Sequence, residues 1–122
     1  MPRPSHFEMP VDDPARAESF YRDVFGWTVQ SFDGAPSYYG MVTTGPDSEP
    51  GINGGFFKRS ADSVTSVTVS VESIEETLEK ITAAGGSVVL GKSPIPSMGW
   101  FATCKDTEGN TFGLFTEDTA AG

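Results

Sequence analysis

The sequence predicts an α+β fold built from two βαβββ modules, joined in one curved, half-open mixed sheet with the helices on its outer face. Three observations predict it. The chain carries an internal repeat at an offset of sixty residues, which lays His6–Asp13 over Ser66–Ser73, Gly26 over Gly86 and Val29 over Val89 without a gap. The opening segment of each copy alternates apolar and polar residues, the period of a strand buried on one face only. Each of those segments then runs into a capped helix stopped by glycine. Two copies are too few for a solenoid, so the expectation is one domain over 1–122, with module one near 1–61 and module two near 62–122.

In the first strand Phe7, Met9 and Val11 alternate with His6, Glu8 and Pro10. Asp13-Pro14 opens the first helix as N-cap and first helical residue, and Gly26 supplies its left-handed stop. Ala17, Phe20, Tyr21 and Val24 recur at helical spacing, and Phe20, Tyr21 and Val24 are expected to join Phe7, Met9 and Val11 in one core. Further strands are expected near Trp27–Phe32, Ser37–Thr43 and Ile52–Lys58, with 45–51 as loop.

The second copy repeats the plan. Val67, Val69 and Val71 alternate with Ser66, Thr68 and Ser70, and the three valines are expected to form a second core with Leu78 and Ile81. Ser73 and Glu76 form a capping-box pattern, and Ile74, Leu78 and Ile81 give the helix its apolar face before Gly85-Gly86. Strands are expected near Ser87–Leu90, Trp100–Cys104 and Thr111–Phe115, with 91–99 as a proline-rich loop and 106–110 as a tight turn.

Composition narrows the function classes. With 17 Asp and Glu against 8 Lys and Arg, the net charge of −9 opposes nucleic acid and anionic membrane, and leaves neutral or cationic small ligands. No apolar run approaches the roughly 20 residues of a membrane span, and no apolar segment follows Met1-Pro2-Arg3-Pro4-Ser5, so no secretory signal is expected. One cysteine, Cys104, forms neither an internal disulfide nor a cysteine zinc cage, which points to a reducing cytoplasm.

Three motifs together resemble the vicinal-oxygen-chelate superfamily, which includes lactoylglutathione lyase, bleomycin-resistance proteins and extradiol dioxygenases. They are His6–Pro14 leading into Phe20–Trp27, then Ala83-Ala84-Gly85-Gly86, then Asp106–Leu114. The likeness covers nearly the whole chain and is nearest the bacterial lactoylglutathione-lyase-related, glyoxalase-like branch. The resemblance implies a metal held by first-strand and last-strand side chains of both modules. Carried over by position, those are His6, Gly55, Ser66 and Gly113, of which only His6 is a competent ligand. No metal and no cofactor are therefore expected.

The candidate ligand-binding residues are His6, Glu8, Tyr39, Asn53, Trp100 and Phe101, and no catalytic residue is assigned. His6 and Glu8 share one strand face and offer a base or a seat for a cationic group, or a plain surface pair. Tyr38 and Tyr39 point to opposite faces, and the sequence leaves open which one lines the cavity. Trp100 and Phe101 offer apolar walls or core packing. Cys104 has no neighbour that activates a thiol, and Gly54-Gly55 reads as strand positions approached closely by backbone or ligand. Three functions follow: a metal-free small-molecule-binding protein in the sheet cavity, a lyase- or isomerase-type enzyme of the same superfamily, or a non-catalytic dimeric interaction module. The resemblance also implies a homodimer.

Overall fold

A computed structural model describes residues 2–32 and 37–122. The element order is βαβββ twice: β1 (Arg3–Val11), α1 (Pro14–Phe25), β2 (Thr28–Ser31), β3 (Tyr39–Thr43) and β4 (Asn53–Lys58), then β5 (Ser66–Ser70), α2 (Ile74–Ala83), β6 (Ser87–Ile95), β7 (Gly99–Lys105) and β8 (Thr111–Glu117). Contacts divide the described residues into two compact units, one within His6–Thr65 and the other Ser66–Gly122 together with residues 2–5.

In the His6–Thr65 unit the strand order is β2-β3-β4-β1, with β4 parallel to β1 and the other pairs antiparallel. The parallel pair needs a crossover, and α1 begins that connection. Its start is set by the Asp13 carboxylate, which accepts from the Arg16 backbone N–H at 3.2 Å, with Pro14 at the first helical position. Its end is set by Gly26 at φ +77°, whose N–H donates to the Arg22 carbonyl at 2.8 Å.

The core of this unit is Val11, Val42 and fully buried Phe56, joined by Phe7, Met9, Ala17, Tyr21, Trp27, Val29 and Tyr38. The Tyr21 ring stacks on Trp27 at 5.0 Å and tilts against Phe56 at 5.4 Å. Phe20 and Val24 depart from expectation, being 55% and 54% exposed. The reason lies at Glu18, whose carboxylate accepts a 2.6 Å hydrogen bond from the Tyr38 hydroxyl. That bond turns Glu18 toward the sheet, and Phe20 lies about 160° round the axis from it at 3.6 residues per turn.

In the other unit the order is β5-β8-β7-β6, with β5 and β8 parallel. Ser73 Oγ accepts from the Glu76 N–H at 3.2 Å to start α2. Val71, Ile74, Ala102, Cys104 and Leu114 form the core, with Val69, Leu78, Ile81, Trp100 and Phe112 packed against it. Val67 is exposed, not core, since it precedes the stretch of β5 that lies in register with β8.

β6 is longer than the expected Ser87–Leu90. It runs on through Gly91–Ile95, where a loop was expected, with register shifts between Val88 and Leu90 and between Leu90 and Ser93. Pro94 is accommodated because β6 is the outer strand of this order and pairs on one side only, with β7. The 106–110 turn closes as expected. Asp106 Oδ1 accepts from the backbone N–H of Glu108 at 2.8 Å and of Asn110 at 2.9 Å, and Gly109 sits at φ +81°.

Phe56→Ala should lower unfolding free energy by about 3–5 kcal/mol in urea melts, through lost burial and a residual cavity. Val67→Ala should change it by no more than about 0.5 kcal/mol.

Candidate functional site

Strand alternation turns Phe7, Met9 and Val11 toward α1 and leaves His6, Glu8 and Pro10 on the opposite face of the sheet. Register then fixes their neighbours. Asn53 of β4 lies opposite His6 and Gly55 opposite Glu8, while Met41 of β3 lies opposite Gly55.

The two adjacent glycines of β4 are each covered by an aromatic ring, one from either face. A side chain at Gly54 would collide with the Phe7 ring on the core face. A side chain at Gly55 would collide with the ring and hydroxyl of Tyr39 on the other. Tyr39, itself paired with Phe57, thus lies diagonally across the glycine gap and brings its hydroxyl to Glu8 and His6.

There the Tyr39 hydroxyl donates to the Glu8 carboxylate, 2.9 Å from Oε1 and 3.1 Å from Oε2. His6 Nε2 stands 3.1 Å from the Tyr39 hydroxyl oxygen and 3.2 Å from Glu8 Oε1. The side chains of His6 and Glu8 keep 32% and 25% of their surface, so the cluster is reachable from outside. Burial, reinforced by the charge and hydrogen bond of Glu8, pushes the Tyr39 phenol well above the ordinary tyrosine range and keeps its proton in place. The Phe32 ring meets Tyr39 edge-on at 6.4 Å.

Tyr38 belongs to the other face, so the tyrosine beside His6 and Glu8 is Tyr39. Asn53 is committed to the loop that follows β3: its Oδ1 accepts from the Thr44 backbone N–H at 2.9 Å and from the Thr44 hydroxyl at 3.3 Å. Trp100 and Phe101 belong to the other unit. There Trp100 Nε1 donates to Asp118 at 3.0 Å, and Lys92 Nζ, paired with Glu75 at 2.8 Å, lies 4.5 Å from the Trp100 ring centroid. Phe101 pairs with Ser93 and Phe115 across the sheet. Cys104 is fully buried and its thiol is pushed up by burial, which makes it a poor nucleophile. Sequence reasoning missed Met41 as a member of the site face. The signal was its two-residue spacing from Tyr39, which puts both on one side of β3.

The four positions implied for a metal can be tested unit by unit. In the first, Tyr39 fills the space from which a Gly55 side chain would project, and the Glu8 oxygens are engaged by Tyr39. In the second, Gly113 lies opposite Thr68, and a side chain there would start 2.9 Å from the Thr68 hydroxyl. Glycine brings no donor and Ser66 only a weak one, so the residues present do not fit a tightly bound divalent cation.

A family model described as bleomycin resistance protein-like N-terminal matches residues 3–45. A candidate glyoxylase, CFP32, of Mycobacterium tuberculosis and of Mycobacterium bovis is 32% identical over 110 residues, covering 88% of this chain. The chain spans 41% of the length of those curated relatives. Among solved structures, the hypothetical protein BH1468 from Bacillus halodurans superposes with a TM-score of 0.73 at 14% identity, covering 98% of this chain and 97% of its own. A Streptomyces coelicolor methylmalonyl-CoA epimerase gives 0.71 at 15% identity, covering 100% of this chain and 99% of its own. These likenesses show the fold.

The raised phenol has a consequence for alkaline stability. Unfolded tyrosines release their protons near pH 10 while the folded state holds those of Tyr39 and, likewise raised by burial and Glu18, Tyr38. The folded state therefore binds more protons, and stability should fall as pH rises above about 10. Tyr39→Phe should flatten that decline in urea melts taken across the alkaline range, and an unchanged slope would show that Tyr39 titrates normally.

Proposed function

The chain belongs to the vicinal-oxygen-chelate superfamily, and from that premise we propose that it is a glyoxalase/bleomycin-resistance-like small-molecule-binding protein that takes a small organic ligand, neutral or cationic, without a metal. The observation that carries this reading is the Tyr39 hydroxyl, seated over Gly55 and bridging His6 and Glu8. It turns the position of a would-be metal ligand into part of a hydrogen-bonding patch. Organic ligands are oriented by a few such polar groups beside apolar surface, here Met41 and Phe57 on the same face.

The test is mass spectrometry of small molecules that co-purify with the folded protein, alongside elemental analysis of protein prepared without chelator. The expected result is a bound organic species, lost in His6→Ala or Tyr39→Phe, with substoichiometric metal and no metal-dependent glutathione-hemithioacetal isomerase activity. About one zinc, nickel, iron or manganese per chain, lost together with activity in His6→Ala, would overturn it.

The names of the relatives, a candidate glyoxylase and an epimerase, favour a second reading as a lyase- or isomerase-type enzyme with His6 as base. Incubating the co-purified species with fresh protein separates the two: conversion supports the enzyme, and an unchanged molecule supports the binding protein.

The proposal extends to a homodimer in a reducing cytoplasm. No helix among the described residues is long and apolar enough to cross a membrane. Cys104 is a free, buried thiol. Phe20, Val24 and Phe25 project from α1 with more than half of each exposed, an apolar patch suited to a second copy. Sedimentation should give twice the chain mass, reverting to monomer in a Phe20→Asp, Val24→Asp double variant. A monomer at high micromolar concentration would remove the dimer from the proposal.

A further inference from the structure

The proton inventory of the His6, Tyr39 and Glu8 side chains determines which hydrogen-bonding role they leave for a ligand. Three atoms stand in a triangle: Tyr39 Oη lies 2.9 Å from Glu8 Oε1 and 3.1 Å from His6 Nε2, and Nε2 lies 3.2 Å from Oε1. An ionised carboxylate brings no proton. The single hydroxyl proton of Tyr39 goes to Glu8, which accepts it with both oxygens in reach. Nε2 then faces oxygen lone pairs on both sides. A bare Nε2 would add a third lone pair to the triangle, so Nε2 must carry the ring proton. In the neutral imidazole that leaves Nδ1 bare.

Every proton of the cluster is thus turned inward. Among the described residues, what these three side chains leave for an incoming molecule is the bare Nδ1 and the outer lone pairs of the Glu8 oxygens, all acceptors. A carboxylate or phosphate arriving at Glu8 would meet like charge and no donor. A cation with N–H groups supplies the protons that the cluster lacks, and an amidinium, guanidinium or ammonium N–H can meet the outer lone pairs of the Glu8 oxygens, the edge between the two oxygens being taken by the Tyr39 hydroxyl. The net charge of −9 favours its approach. Exposed Met41, in the same row as Gly55 and Glu8, offers apolar contact for the carbon body of such a molecule.

We propose that the His6–Tyr39–Glu8 cluster is a seat for a cationic N–H donor, an amidinium, guanidinium or primary ammonium group, read by Glu8 with His6 fixed as the Nε2–H tautomer. This rests on the reading of that face as a ligand site, and it narrows the ligand to one chemical class.

His6 is the only histidine, so long-range proton–nitrogen spectra report its tautomer without ambiguity. The experiment records them at about pH 8, where histidine is ordinarily neutral. It then titrates the labelled protein with benzamidine and separately with benzoate, two probes of similar shape and opposite charge. The expected result is the Nε2–H tautomer, with saturable shifts at His6, Glu8 and Tyr39 for benzamidine at least about tenfold tighter than for benzoate. Glu8→Gln should weaken benzamidine by about tenfold or more. An Nδ1–H tautomer, or benzoate binding as tightly as benzamidine at these residues, overturns the cationic class while leaving the face as a ligand site. If neither probe moves these signals, both the class and the assignment of this face fall.

Discussion

The His6–Thr65 unit depends on two missing side chains. Gly54 and Gly55 sit next to each other in β4, between β1 and β3, and strand alternation points them to opposite faces. Each vacancy is taken by an aromatic ring from a neighbouring strand, Phe7 on the core side and Tyr39 on the other. Any larger residue at Gly54 would displace Phe7, whose ring packs against Trp27 at 5.6 Å, and so disturb the core beneath α1. Any larger residue at Gly55 would displace Tyr39 and take its hydroxyl away from Glu8 and His6. Glycine inside a strand weakens it through backbone entropy. Here that cost is offset by burial of two aromatic rings, one of which builds the polar cluster.

The second unit shows what the same plan looks like without that cluster. Its β5–β8 pair places Thr68 opposite Gly113, as β1–β4 places Glu8 opposite Gly55. The offset of sixty carries His6 onto Ser66 and Glu8 onto Thr68, replacing an imidazole and a carboxylate by two hydroxyls. Thr68 is buried, whereas Glu8 keeps a quarter of its side chain in contact with solvent. The repeat therefore supplies the scaffold twice and the ionisable chemistry once.

Much of this was legible in the sequence, and the misses have physical causes. Helix starts and stops were readable because caps are local: Asp13, Pro14, Gly26 and Ser73 act on backbone within four residues of themselves. The His6–Glu8 pairing was readable because alternation is local too. Tyr39 was narrower, since alternation says that Tyr38 and Tyr39 part company but register alone says which one meets β1. Phe20 and Val24 misled because apolar spacing defines a stripe, while its rotation was decided by a polar contact, Tyr38 to Glu18, between residues twenty apart. The extension of β6 was hidden by Pro94, which reads as a loop residue unless its strand is known to be an outer one.

A fold likeness at 14–15% identity carries no chemistry by itself, and this chain illustrates why. Of the four positions that the resemblance implies for a metal, two here are glycine and one is serine. A glycine at such a position leaves a hollow, and a hollow beside a polar residue is open to whatever neighbour can reach it with a hydrogen bond. Tyr39 reaches it from β3, and once seated its hydroxyl donates to Glu8 and stands 3.1 Å from His6 Nε2. The face is in that way built around a carboxylate held by a phenol and an imidazole. Specificity at such a carboxylate comes from the protons a partner brings to it, so what binds is selected by hydrogen-bond direction as well as by charge.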